Sequence, residues 1–138
     1  MIRDKRYGAL PDGAAEMTPD QIAPLLVAMQ NDRVELTERH DSLRTRKDEL
    51  AAAIDDAKRA AEGVAMTTLD PARGKDTPAA SAVKAFVDAD ATVVQLKRDA
   101  DIIASDYDLV GNQLGSVRSG LRVLTFLGER DRDASTDW

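Results

Sequence analysis

One run of apolar residues, spaced alternately three and four apart, constrains this chain more than any other feature: Phe86, Ala89, Val93, Leu96, Ala100, Ile103, Tyr107, Val110, Leu114, Val117, Leu121 and Leu124. Every position in the series is apolar. At 43% apolar composition, chance fills such a fixed frame about 4 × 10⁻⁵ of the time. A mean spacing of 3.5 lies along one side of an α-helix and scatters over both faces of a strand. The segment therefore reads as a long helix with one apolar seam.

A seam needs a partner, and the first half of the chain supplies it. One seam position reads Ile22, Met29, Leu36, Leu43, Leu50, Ala57 and Val64; the other reads Leu26, Arg33, His40, Lys47, Ile54 and Ala61. Thr18-Pro19-Asp20-Gln21 starts this helix: a cap, a proline at the first helical position, an acid at the positive dipole end and a capping-box glutamine. Pro24 predicts a kink or restart. Gly63 is a plausible stop, Pro71 and Gly74 mark a loop, and Thr77-Pro78 repeats the cap-plus-proline start. Gly128 closes the second helix.

The expected architecture is all-α and a single domain. It is a long antiparallel two-helix coiled-coil hairpin, with an irregular N-terminal arm (1–17), helix one (18–63), a loop (64–77), helix two (78–127) and a short polar C-terminal tail (128–138). Each helix is about 65–75 Å long at 1.5 Å per residue. The best register places Met29 opposite Leu114, Leu36 opposite Tyr107, Leu43 opposite Ala100, Leu50 opposite Val93 and Ala57 opposite Phe86. It also brings Arg39 and Arg46 to the edge that carries Asp99 and Asp106, while Arg44 falls near Lys97. Only two Phe, two Tyr and one Trp are present, which suits an Ala/Leu/Val seam better than a sandwich or barrel.

Composition narrows the function. A net charge of −6 argues against a dedicated nucleic-acid binder. No cysteine is present, so disulfides, thiol catalysis and cysteine-ligated zinc are excluded. No apolar h-region follows the charged start and no uncharged run is long enough to span a bilayer. A cytoplasmic location, or one within an assembled particle, is expected, without membrane insertion or a cleavable signal peptide.

No motif for catalysis, a cofactor or a metal is legible. His40 is the only histidine and has no second His or Cys to share an ion. Asp88 with Asp90, Asp99 with Asp101, and Asp106 with Asp108 are two apart, which turns their side chains about 200° from one another on a helix. They read as solvated faces. Gly74-Lys75-Asp76-Thr77 lacks both the earlier glycine and the hydroxyl after the lysine that a phosphate loop needs. Arg33, His40 and Lys47 read as a register-setting polar stretch of the seam, with long stems reaching outward; a pH-sensitive layer is the functional alternative.

Interaction residues are easier to nominate. Gly111, Gly115 and Gly120 interrupt a helix at about 0.5–1 kcal/mol each, and Gly111 with Gly115 notches one face where another helix can approach closely. From 109 to 127 the only charges are Arg118 and Arg122, while Leu109, Val123 and Phe126 add apolar surface off the seam. In the expected register, Ile22, Leu25, Leu26 and Val27 lie beside them. That end is apolar around more of its circumference than two helices can bury. Trp138 ends an acidic tail suited to a basic, apolar pocket on a partner. The expected role is a non-enzymatic structural or assembly subunit, possible as a phage or virion component. It oligomerises with itself or docks on another protein through residues 22–29 and 109–127. The alternative is a coiled-coil adaptor or inhibitor that regulates a partner protein.

Overall fold

The computed structural model describes the backbone of residues 6–136 and the side chains of residues 6–130. Among these residues the chain is all-helical, with no strand. A 3-10 turn (Ala14–Glu16) precedes three helices, α1 (Pro19–Thr68), α2 (Ala80–Ala89) and α3 (Ala91–Thr136).

Helix α1 starts where its capping residues place it. Gln21 Oε1 accepts the Thr18 backbone N–H at 3.0 Å, and the Thr18 carbonyl accepts the N–H groups of Gln21 and Ile22. The helix runs through Pro24 without a restart. Proline in the second turn removes only the bond to the Asp20 carbonyl, in an exposed part of the chain. Gly63 does not stop it either. Ala61 and Ala65, on either side, are almost fully buried, and their packing outweighs the roughly 1 kcal/mol that a helical glycine costs. The end comes just before Leu69-Asp70-Pro71, because the residue ahead of a proline is pushed out of helical geometry.

The connection contains a tight turn. Lys75 N–H donates to the Ala72 carbonyl at 2.9 Å, and Gly74 takes φ 77° at the position that requires it. Gly74 and Lys75 therefore belong to a tight turn.

Two boundaries differ from expectation. The second helix is divided at Asp90, which is extended (φ −60°, ψ 128°) and ends α2. Its carboxylate accepts the Val93 N–H at 3.1 Å, so Asp90 caps α3 instead of standing on a solvated helix face. Helix α2 begins at Ala80 without a side-chain cap, so Thr77 does not repeat the role of Thr18. Helix α3 then passes Gly128 and continues to Thr136, taking in most of the expected tail. Trp138 lies outside the described residues.

Two compact units are present: Met1–Ser42 with Tyr107–Trp138, and Leu43–Asp106. The first has the larger core, built from Ile22, Met29 and Leu36 of α1 and Val110, Leu114, Val117, Leu124 and Leu127 of α3. The second buries Leu50, Ala61, Ala65, Val87 and Val93. No described polar or charged side chain is buried in either.

Within the first unit the contacts are displaced from the expected register. Tyr107 stacks on His40, one turn beyond Leu36, and Met29 lies against Gly120. The expected cross-helix charges are not the ones that pair. Arg39 bonds Glu35 at 3.1 Å, Arg46 lies 3.5 Å from Glu49, and Asp99 accepts from Gln95. All are exposed neighbours on one helix, and each contributes a few tenths of a kcal/mol.

Leu36 is fully buried and Val34, two residues away, is 54% exposed. Leu36→Ala is expected to destabilise the fold by about 2–5 kcal/mol, and Val34→Ala by no more than about 0.5 kcal/mol. Urea unfolding followed by circular dichroism distinguishes them; equal losses would refute the assignment of the buried face.

Candidate interaction site

The glycines of α3 do not behave as one notch. A side chain at Gly120 would meet the Gly8 carbonyl oxygen at 2.7 Å and Met29 Sδ at 2.9 Å, and Gly120 is buried. Gly111 is half-buried beside His40, whose Nε2 lies 3.5 Å from where a Cβ would stand. Gly115 has nothing within 4 Å. The close approach therefore comes from the chain itself. Part of it is the N-terminal arm, crossing α3 at Ser116, Val117 and Gly120.

Gly8 makes that crossing possible. Its φ of +74° is left-handed, and a Cβ there would overlap the Ser116 carbonyl and stand 2.7 Å from the Val117 nitrogen. Backbone lies on backbone, with no room for a side chain. Next to this crossing is an open recess of roughly 900 Å³, whose lining includes Tyr7, Gly111, Asn112, Gly115, Ser116 and Ser119. Further along the arm, the Ala15 carbonyl accepts from Arg130 Nη2 at 3.0 Å. Both anchors escaped sequence reading. A single glycine in an aperiodic arm does not reveal which surface it crosses, and Arg130 lay in a segment read as tail.

The other nominated residues fall into two groups. Leu25 is half-buried and lines a recess with Pro11, Met17 and Pro24. Val123 and Phe126 are 42% and 64% exposed, and Leu109 and Val27 also project into solvent.

Arg33, His40 and Lys47 do not form one buried layer. Arg33 and Lys47 are exposed, whereas His40 is half-buried with its ring 4.1 Å from that of Tyr107, at an interplanar angle of 18°. The stacked rings bring α1 and α3 together through an aromatic contact. Among the described residues, no three His, Cys, Asp or Glu side chains converge to hold a metal ion, and no helix is long and apolar enough to cross a membrane.

Compared with protein-family models, curated proteins and solved structures, the chain matches none.

The two glycines give opposite expectations. Gly115→Ala adds a methyl in open space and gains helix propensity, so it should stabilise by up to about 1 kcal/mol. Gly120→Val should destabilise by about 1–3 kcal/mol, because it displaces both the arm and Met29. Chemical denaturation of the pair tests this; equal shifts in one direction would contradict the placement of the arm.

Proposed function

We propose that the chain is a non-enzymatic assembly subunit, a helical hairpin that self-associates through the apolar surface of its first unit. In this reading α1 and α3 run antiparallel as a coiled-coil-type pair. Two contacts support that direction: Met29 meets the late residue Gly120, while His40, further along α1, meets the earlier residues Tyr107 and Gly111.

The observation that carries the assembly reading is the exposure of Phe126, 64%, together with Val27, Leu109 and Val123. A side chain of that size is worth about 1.5–3 kcal/mol when fully removed from water. Several on one small unit give a surface that a second copy can cover with net gain. Arg118 and Arg122 are the only charges on α3 from 109 to 127, so little desolvation opposes burial there. Incorporation into a particle, such as a phage or virion, is one setting for a subunit of this kind.

Sedimentation equilibrium tests the proposal. The native chain should show a concentration-dependent oligomer, and Phe126→Asp should weaken it at least tenfold while helicity by circular dichroism is retained. A native chain that stays monomeric at high concentration overturns self-assembly.

A further inference from the structure

We infer that residues 6–12 are an exchangeable arm, which docks on α3 of a second copy through the same Gly8–Gly120 crossing that it makes within its own chain. This deepens the assembly reading and rests on it, naming a contact by which neighbouring copies are joined.

Three observations carry the inference. The first is fit. The segment is already seated on α3, with Gly8 against Ser116, Val117 and Gly120, and a second copy presents the identical surface. Exchange preserves the Gly8 contacts with Ser116, Val117 and Gly120 and changes the chain at the hinge.

The second is the hinge. Gly13 has φ 76° and ψ 19° and is exposed, at the third position of a turn closed by the Ala14 N–H on the Pro11 carbonyl at 3.2 Å. Turning this one residue from left-handed to extended geometry, which glycine adopts as readily, opens that exposed turn and swings the preceding segment away from its own α3.

The third is the division of anchors. The Ala15 carbonyl is held by Arg130, and Glu16 N–H donates to the Gly13 carbonyl at 3.0 Å. The chain after Gly13 is tied to its own α3 by the Arg130 bond, so exchange is confined to the chain before it. Proximity then decides the choice. A short tether gives its own arm an effective concentration in the millimolar range, and neighbours in an assembly supply arms at a comparable concentration.

The test strains the hinge. All proteins carry Phe126→Asp, so the exposed apolar surface does not contribute and failure of the arm is separable from failure of that surface. Gly13→Val penalises the left-handed turn by about tenfold per hinge. A reciprocal dimer relieves two hinges, so its association constant should rise about a hundredfold in sedimentation velocity. Adding Gly8→Val, which denies docking both within and between chains, should return the protein to monomer. Gly120→Ala serves as a milder second block that favours helix and should lower dimerisation in the same direction. The inference is overturned if Gly13→Val stays monomeric, or if its dimer survives Gly8→Val.

Discussion

The constraint behind everything else is that a long helix with one apolar stripe cannot satisfy it alone. Isolated helices gain little from propensity, and their stability in proteins comes from packing the apolar face. In α3 the buried positions Val110, Leu114, Val117, Leu124 and Leu127 need an opposite surface, and Ile22, Met29 and Leu36 of α1 give one. Two round helices cover only part of each other, however. The remaining flank of α3 near Gly120 is closed by a third piece of chain, the arm. It approaches closely enough only because glycine stands on both sides of the crossing.

This explains the unequal treatment of the glycines. A helical glycine costs about 1 kcal/mol relative to alanine wherever it sits. At Gly120 the cost is offset by contact with Gly8 and Met29. At Gly115 no neighbour of this chain offsets it. At Gly63 and Gly128 the glycine is simply carried, since neither ends its helix. Terminators act through stronger effects: the proline after Asp70, which excludes helical geometry from the residue ahead of it, and the Asp90 carboxylate, which captures an orphan N–H of the following helix.

Much of the helical content was legible because a twelve-position apolar series admits one local structure. The two-helix pairing of the first unit follows the same residues, with Ile22, Met29, Leu36, Val110, Leu114 and Val117 all buried. The pattern loses its hold along α1. A regular helix drifts about 20° per heptad against a strict seven-residue repeat. From Ile22 to Val64 that amounts to about 120°, more than one residue's rotation. Val64 has turned out to 52% exposure and Ala65 has taken its place. The flanking charges lend the expected register no support, because Arg39 and Arg46 are exposed and find partners on their own helix. The arm was illegible because its binding depends on an absence of side chains, and absence has no period.

Phe126, Val123 and Leu109 lie on the same helix that receives Gly8. In the proposed assembly, a neighbour drawn in by those side chains would have its own arm close to a receiving surface identical to the one that arm already occupies. Apolar burial is undirected and tolerates many relative orientations. The glycine crossing tolerates few, because a Cβ on either side collides with backbone. Attraction from the first and orientation from the second is a division of labour that neither alone provides. On the proposed reading, the specificity of assembly lies in Gly8 and Gly120 rather than in the larger side chains around them.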